Sequence, residues 1–419
     1  MTTGKRLRIA VWHYLPSGGG RRALHMHVKG LLNRGHEVEI WCPERVDADF
    51  LPLQDLAPEH VVPVEWPGRR PQRSGPVALY RGVRNDIKAM DRHCRACAEQ
   101  INAGEFDVLF ANASMHYAVS AIGRFVDLPR LLYLQEPLRS LYEAAPHLPW
   151  RASVERSPAA GLRPASVTAF IRHMARIRSL GILMREEQDN ASTFDLLLVN
   201  SLYSRESILR AYGLSARVCH LGVDVALFQD RRLERERTVI GVGAIVPAKA
   251  IERAIEAVAA VSTDRPRLEW IGNVADADYR RQLEALAADR KVEIAFSVNL
   301  TDEELVHRLN RASAMVYAPR LEPFGFAPLE ASACGLPVVG IAEAGIRETV
   351  RDGFNGLVVE DGPAAMAEAI ERILGDPEFG RTLGASGRRW VCEEWTVGQA
   401  VGRLEEALAE VTSNPANGS

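Results

Sequence analysis

The clearest structural signals of the chain lie in Arg320-Leu-Glu-Pro-Phe-Gly-Phe-Ala-Pro-Leu-Glu-Ala-Ser-Ala-Cys-Gly-Leu-Pro-Val-Val339, which follows the apolar run Ala314-Met-Val-Tyr-Ala318. The apolar run predicts a buried parallel strand. Pro323 and Gly325 then interrupt regular structure. The residues after them predict a helix that ends at Gly335, before the next strand begins. The stretch therefore predicts a strand, a tight turn and a helix.

The N-terminus of this predicted helix is a candidate binding site. Backbone N–H groups in the first turn of a helix have no intrahelical acceptor, and the helix dipole places partial positive charge there. Such a site suits an anion or the hydroxyl groups of a sugar. We expect the binding residues to be Phe324, Gly325, Phe326 and Ala327.

Two carboxylates bracket the turn. Glu322 precedes it, and Glu330 follows eight residues later, in what we expect to be the first helical turn, together with Pro328. A glutamate in that turn can act simply as a helix cap, so a structural role for Glu330 stays open. Glu322 stands before Pro-Phe-Gly, where it caps no predicted helix, and this position favours a ligand-binding role.

The stretch resembles the signature of the family 4 retaining glycosyltransferases. That signature has two glutamates separated by seven residues, with Phe-Gly between them. A Glu-Ala-x-Ala-x-Gly-x-Pro-Val-Val continuation follows, which here reads Glu330 to Val339. The resemblance implies the GT-B fold, an α/β architecture of two Rossmann-like, doubly wound parallel-sheet domains facing a central cleft.

The resemblance extends over nearly the whole chain and implies its domain boundaries. Residues 1–218 are expected to form an acceptor-binding domain and residues 219–395 a domain that binds a nucleotide sugar. The family's connection between them is matched by Gly222-Val-Asp224 and Phe228. Residues 396–412 are expected to form a helix that packs back on the first domain. The length of 419 residues by itself favours two domains.

The amino-acid composition further limits the class of protein to which the chain can belong. Hydrophobic content is 47%, charged content is 25% and the formal net charge is −3. These are values of a globular protein, and we expect no nucleic-acid partner. The sequence has no apolar run long enough to span a membrane and no signal peptide at its start. Its six cysteines are scattered. We therefore expect a reduced, cytoplasmic protein.

The chain begins with a predicted βαβ unit. Arg8–Tyr14 and Glu37–Cys42 predict strands, and a helix with a regular apolar face lies between them. The connecting loop contains Gly18, Gly19 and Gly20, which would allow a ligand to approach the backbone at the helix N-terminus. Such a loop can also be merely a tight turn. The resemblance implies that it faces the donor phosphates and sugar.

Two positions depart from the family pattern. Relatives commonly have a histidine where this chain has Gln135, which can form hydrogen bonds but cannot carry a titrating proton. Relatives also have an arginine where this chain has Ala244, whereas the lysine five residues later is present as Lys249. The resemblance implies that Lys249 contacts the donor diphosphate, with Arg21 or Arg22 as candidates for the missing charge.

Two segments of the sequence are strongly basic. Residues 66–95 contain eight Lys and Arg against two acidic residues, and residues 151–185 contain seven Arg against one. The second segment includes a helix predicted at about 166–188, on which Phe170, Met174 and Ile177 share one face. A solvated surface is the plain interpretation of both. Contact with an anionic acceptor or with a membrane surface is the more specific interpretation.

The resemblance implies a retaining transferase that moves a sugar from a nucleotide diphosphate sugar to an acceptor nucleophile. No DxD-type metal motif follows a predicted strand at a suitable position, so we expect the transferase to be metal-independent. The resemblance implies that Glu322, Lys249 and Gln135 are catalytic residues, that Glu330 is the ribose ligand and that Asn299 contacts the base. No cofactor besides the donor substrate is expected. A small-molecule natural product and a lipid-linked glycan remain open as acceptors. A nucleotide-sugar-binding pseudoenzyme and another GT-B enzyme, such as a sugar-nucleotide epimerase, are the alternatives.

Overall fold

The computed structural model describes residues 5–44, 49–67, 76–142 and 164–413. Residues 68–75 and 151–163 of the predicted basic segments, and the tail from residue 414, lie outside the described parts. The chain divides into two compact units. The first contains Met1–Val199, Arg205–Val218 and Leu404–Ser419, and the second contains Asn200–Ser204 and Cys219–Arg403.

A seven-stranded parallel sheet forms the centre of the first unit, with strand order β3-β2-β1-β4-β5-β6-β7. The central strands are apolar on both faces because helices cover both sides of a parallel sheet. The strands are β1 Arg8–Tyr14, β2 Glu37–Cys42, β3 Glu59–Val61, β4 Val108–Ser114, β5 Arg130–Tyr133, β6 Leu196–Val199 and β7 Arg217–Val218.

Helices α1 to α4 belong to this first unit, and so does α5 from Arg205 onward. Their bounds are α1 Gly19–Asn33, α2 Pro76–Ala103, α3 Arg139–Tyr142, α4 Pro164–Ala191 and α5 Leu202–Tyr212. The predicted helix at about 166–188 is confirmed as α4. β3 lies within residues 51–76, a stretch rich in Pro and Arg whose composition by itself is typical of a loop. A three-residue edge strand has too short an apolar pattern to be recognised in sequence.

The second unit contains a six-stranded parallel sheet with strand order β10-β9-β8-β11-β12-β13. The two doubly wound parallel sheets confirm the predicted α/β class. The strands are β8 Thr238–Val242, β9 Arg267–Gly272, β10 Ile294–Val298, β11 Ala314–Tyr317, β12 Val338–Ile341 and β13 Gly356–Val359.

Helices follow the strands of the second unit in alternation. Their bounds are α6 Ile251–Ala260, α7 Ala277–Arg290, α8 Asp302–Arg311, α9 Phe326–Ala333, α10 Ile346–Thr349, α11 Pro363–Gly375 and α12 Pro377–Glu394. A capping box begins α8, since the side chains of Thr301 and Glu304 each bond to the other residue's backbone. A close backbone approach explains Gly384 in α12, because a Cβ there would lie 2.0 Å from the carbonyl oxygen of Gly335.

The last described helix, α13, spans Val397–Ser413, and its residues from Leu404 onward belong to the first unit. Glu405 accepts hydrogen bonds from Arg34 at 2.5 Å and contacts Nε2 of His36 at 3.0 Å. Glu410 pairs with Arg217 of β7. Within the described residues, no helix is both long and apolar enough to cross a membrane.

Candidate functional site

The turn between β11 and α9 has the glycine geometry that the sequence predicts. Gly325 precedes the first residue of α9 with φ of 92°, a left-handed conformation that favours glycine. A Cβ at Gly325 would also lie 2.7 Å from the side-chain oxygen of Thr349. Gly325 itself has no side chain that could cap the helix. The N-terminus of α9 therefore presents backbone amides, as a binding site for anions or hydroxyl groups requires.

Glu330 lies deeper in α9 than predicted. The helix begins at Phe326, so Pro328 is its third residue and Glu330 its fifth, and the first turn contains no acidic residue. The prediction that Glu330 lies in the first turn was therefore wrong. The side chain is buried, with 5% of the residue exposed. A helix cap must stand at the first turn, so the position of Glu330 argues against the capping role.

Glu322 and Lys249 are brought together by the fold. The Nζ atom of Lys249 donates to Oε2 of Glu322 at 2.7 Å, and the two side chains are 25% and 16% exposed, respectively. Lys249 ends the short 3₁₀ turn Pro247–Lys249 after β8, and the next residue, Ala250, is left-handed with φ of 48°. β8 and β11 are neighbours in the sheet, so their following loops meet at its carboxyl edge.

A buried arginine supports the loop that carries Glu322. Arg253 of α6 donates to the carbonyl oxygen of Ala318 at 3.1 Å and pairs with Glu343 at 3.1 Å and Asp361 at 2.7 Å. Glu343 in turn accepts from the amide of Leu321 at 3.2 Å. Sequence reasoning missed this support, because the partners of Arg253 lie 65 to 108 residues away along the chain.

An aromatic cluster packs behind the turn. Phe324 is 3% exposed, and its ring lies 6.3 Å from that of His220 and 5.7 Å from that of Trp395. His220 also contacts Glu348 at 3.1 Å. Burial of Glu348 opposes its ionisation, but hydrogen bonds from His220 and from the amides at the start of α5 outweigh it and lower the pKa of that carboxyl. Glu348 is therefore an ionised anchor beside the turn.

Asn299 lies at the same edge of the second sheet as Lys249 and Glu322. It follows β10, is exposed and is left-handed with φ of 59°, a conformation that asparagine tolerates better than most residues. Its amide donates to the carbonyl oxygen of Gly272 at 3.0 Å. β10 is three steps from β11 in the strand order, or about 14 Å at about 4.8 Å per strand. In the strand order, β8, which precedes Lys249 in the chain, lies between β10 and β11.

In the first unit, the glycine loop and Gln135 lie together. Gly18 precedes the first residue of α1 with φ of 139°, and Gly19 and Gly20 form the first helical positions. A Cβ on Gly20 would lie 3.2 Å from Nε2 of Gln135. The absence of a side chain at Gly20 therefore makes room for Gln135 beside this helix N-terminus, whose amides form a second candidate site for an anion.

Arg21, a candidate for the charge that Ala244 does not supply, is buried in a polar cluster of the first unit. Its guanidinium lies 3.5 Å from Nε2 of His13, and potential ligand atoms of His13, Cys42 and Glu59 lie within 4.8 Å of one another. Burial, opposed by the Glu59 carboxylate, lowers the pKa of His13. The three side chains are of metal-binding types, but the positive charge of Arg21 beside them disfavours a bound cation.

These observations define a class of protein. Residues 225–390 match the family model described as "Glycosyl transferases group 1". The match covers the Glu322 turn and the Lys249 loop, and the two sheets are those of the GT-B fold. Over residues 225–390 the chain is therefore similar to the group 1 glycosyltransferases, in agreement with the family 4 resemblance of the sequence.

Among similar curated proteins is the GDP-mannose-dependent alpha-(1-6)-phosphatidylinositol monomannoside mannosyltransferase of Mycolicibacterium smegmatis. It is 31% identical over 51% of this chain and 62% of its own length. A D-inositol 3-phosphate glycosyltransferase of Geodermatophilus obscurus is 33% identical over 55% of each chain. The alignments thus span only somewhat more than half the length of these relatives.

Solved structures share the fold at low sequence identity. Sucrose-phosphate synthase from Thermosynechococcus elongatus aligns over 97% of this chain and 100% of its own with a TM-score of 0.70 and 19% identity. HepE from Anabaena, solved in complex with UDP and glucose, aligns over 97% of this chain and 100% of its own with a TM-score of 0.70 and 16% identity. These likenesses confirm the GT-B fold.

Proposed function

We propose that this protein is a retaining glycosyltransferase that transfers a sugar from a nucleotide diphosphate sugar to an acceptor nucleophile without a resident metal ion. The observation that carries the proposal is the contact between Lys249 and Glu322, 2.7 Å long, beside the amide-rich N-terminus of α9. A cation and backbone amides suit a diphosphate, whereas a neighbouring carboxylate suits sugar hydroxyls.

The donor would lie along the carboxyl edge of the second sheet. In this arrangement Asn299 contacts the base at one end, Lys249 contacts the diphosphate in the middle, and Glu322 accepts a hydrogen bond from a sugar hydroxyl at the other end. Glu330 accepts from the ribose hydroxyls. The spacing of about 14 Å between the strands that precede Asn299 and Glu322 suits an extended nucleotide sugar.

The chemical step requires the bond between the anomeric carbon and the diphosphate oxygen to break. The electron pair stays on the diphosphate, where Lys249 and the amides of residues 324–327 stabilise the added negative charge. The acceptor oxygen forms the new bond on the same face of the sugar and transfers its proton to the leaving phosphate. Substrate positioning supplies the rest of the rate enhancement. No protein nucleophile is required.

In the first unit, we propose that the amides of Gly18, Gly19 and Gly20 bind an anionic group and that Gln135 forms hydrogen bonds with a hydroxyl group. An amide side chain does not titrate at accessible pH. Gln135 therefore orients its ligand without removing a proton. The rate should accordingly show no ionisation that depends on this residue.

Incubation of the purified protein with a panel of nucleotide sugars tests this proposal. GDP-mannose belongs in the panel because the M. smegmatis relative is named for it, and inositol phosphate and phosphatidylinositol mannosides belong among the acceptors. UDP-glucose is included because HepE has been solved in complex with it. We expect donor-dependent transfer that persists in EDTA, gives a product with the donor's anomeric configuration and is lost in Glu322→Gln. An inverted product would refute retention.

A nucleotide-sugar-binding pseudoenzyme is the second candidate, and Ala244 is the observation that favours it. A charge-assisted contact of the missing arginine type is worth about 1.5–3 kcal/mol. Binding of a donor without hydrolysis or transfer to any acceptor in the panel would support this second function. Inversion at C2 without transfer would instead indicate an epimerase.

A further inference from the structure

Helix α4 carries a row of exposed apolar side chains that the proposed reaction does not use. Ile171, Met174, Ile177 and Met184 are 37% to 47% exposed. Their spacing of three, three and seven residues places them on one face of the helix, with Gly181 between the last two. We call these four residues the α4 stripe. The side chain of Phe170, predicted to share this face, lies outside the described residues.

The opposite face of α4 fixes the rotation of the helix. Asn190 is buried and donates to the carbonyl oxygen of Val119 at 3.0 Å. Glu187 is fully buried, accepting from the amide of Ala118 at 2.6 Å and from the hydroxyl of Tyr212 at 3.0 Å. These bonds tie α4 to the body of the first unit. The α4 stripe therefore faces outward because of the fold.

Positive charge accompanies the α4 stripe. Arg178 and Arg185 are exposed two turns apart, and in helical projection they lie between Ile171 and Met174, within the arc of the α4 stripe. Arg176 is exposed on the same stretch of helix. From residue 171 to residue 185 the sequence has no acidic residue. α2, which packs against α4, exposes further basic residues at Arg81 and Lys88. Apolar side chains flanked by arginine are the pattern of a helix that lies in a membrane interface.

We propose that the α4 stripe docks the protein on the surface of an anionic phospholipid bilayer, with Met174 and Ile177 inserted among the lipids and Arg178 and Arg185 paired with lipid phosphates. Helix α4 would lie along the surface, since the described helices include none that could span a membrane. A second copy of the chain fits this face poorly. Contact between two identical surfaces would bring arginines against arginines with no acidic partner in residues 171–185.

The inference does not depend on the transferase reaction, because docking is measured without donor or acceptor. Co-sedimentation of the full chain with vesicles gives the first test. One set contains phosphatidylcholine alone, and the other contains about 30% phosphatidylglycerol. We expect binding to the anionic vesicles only, and weaker binding at high salt because surface charge is screened. Equal binding to both sets, or binding to neither, would overturn the proposal.

Variants then assign the binding to the α4 stripe. Met174→Glu/Ile177→Glu is expected to reduce vesicle affinity at least tenfold. Its matched control is Leu209→Glu in α5, where the leucine is 53% exposed. Because all three positions are exposed, the variants should fold, and an unchanged melting temperature checks this. Equal loss of affinity in the control and the stripe variant would refute the assignment to α4.

Reversing the charge of two arginines gives an independent test of lipid binding by α4. A basic residue near an anionic surface contributes roughly a fivefold factor in affinity. We therefore expect Arg178→Glu/Arg185→Glu to weaken binding at least tenfold. Arg205→Glu/Arg210→Glu makes the same change in net charge on exposed positions of α5 and should weaken it by much less. Sedimentation velocity completes the test. A dimer that dissociates in the Met174→Glu/Ile177→Glu variant would show that a second copy occupies the α4 stripe and would overturn the lipid proposal.

Discussion

Replacing Lys249 by methionine is the sharpest perturbation of the proposed donor site. Methionine keeps most of the aliphatic length of lysine. This length matters because the lysine side-chain carbons pack closely against Gly243, where a Cβ would lie 3.4–3.5 Å from them. The substitution removes the cation that contacts Glu322 at 2.7 Å. The family pattern has an arginine at the position of Ala244 and a lysine at the position of Lys249. Lys249→Met therefore removes the one positive charge of this pair that the chain retains.

The expected magnitude follows from this geometry. A hydrogen bond to a charged group contributes about 1.5–3 kcal/mol, and each 1.4 kcal/mol is a factor of about ten in affinity. We therefore expect Lys249→Met to weaken nucleoside diphosphate binding by about 10-fold to 100-fold. The upper part of this range is expected, because the Glu322 side chain, only 16% exposed, would then repel the diphosphate with no cation beside it.

Isothermal titration of wild type and variant with GDP and with UDP measures this effect. Lys291→Met is the matched control, because Lys291 is an exposed lysine of the second unit that follows α7. The double variant Lys249→Met/Glu322→Gln should bind better than Lys249→Met alone, since the repelling carboxylate is gone. Dissociation constants of Lys249→Met within twofold of wild type for both nucleotides would refute a diphosphate contact by Lys249.

Three further predictions concern the second site carboxylate, the turn and the first unit. Glu330→Ala should weaken donor binding at least tenfold in the same titrations through loss of a charge-assisted bond to ribose, and unchanged binding would leave Glu330 a structural residue. Gly325→Ala should destabilise the protein by about 1–3 kcal/mol in chemical denaturation, because the new Cβ would contact Thr349. Gly353 is also left-handed but has open space around it, so Gly353→Ala should lower the free energy of unfolding by less. Burial raises the pKa of Glu187 to about 7. Because the folded state then binds this proton more tightly than the unfolded state, the free energy of unfolding should fall as pH rises from about 4.5 to about 7. A Glu187→Gln variant that retains this pH dependence would show that Glu187 does not cause it.

The sequence predicted the central stretch of the fold well, because its signals are local. The apolar run from Ala314, the glycine at 325 and the glycine at 335 mark strand, turn and helix by chemistry that acts within a few residues. The same is true of Arg8–Tyr14 and Glu37–Cys42, whose predicted and observed bounds coincide. The start of α9 was harder to predict, because Pro328 is acceptable at any position of a first turn. Because Pro328 is the third residue of α9, Glu330 is the fifth and lies beyond the first turn.

Contacts between distant residues were beyond the reach of sequence reasoning. Arg253, which supports the Glu322 loop, sits in a helix whose apolar pattern gives no reason to expect a buried cation. The network of Glu187 with Ala118 and Tyr212 joins three elements that are far apart in the chain. Such groups are buried because tertiary partners satisfy them, and those partners are visible only once the fold is known.

The turn around Phe324 is the proposed binding site for an activated sugar. Hydrogen–deuterium exchange of the peptide that covers residues 320–333, measured with and without a donor that the protein turns over, tests it most directly. Bound donor should slow exchange of the amides of residues 324–327, while the α7 peptide, residues 277–290, stays unchanged. If saturating donor leaves exchange in the 320–333 peptide unaltered, this turn does not bind the activated sugar.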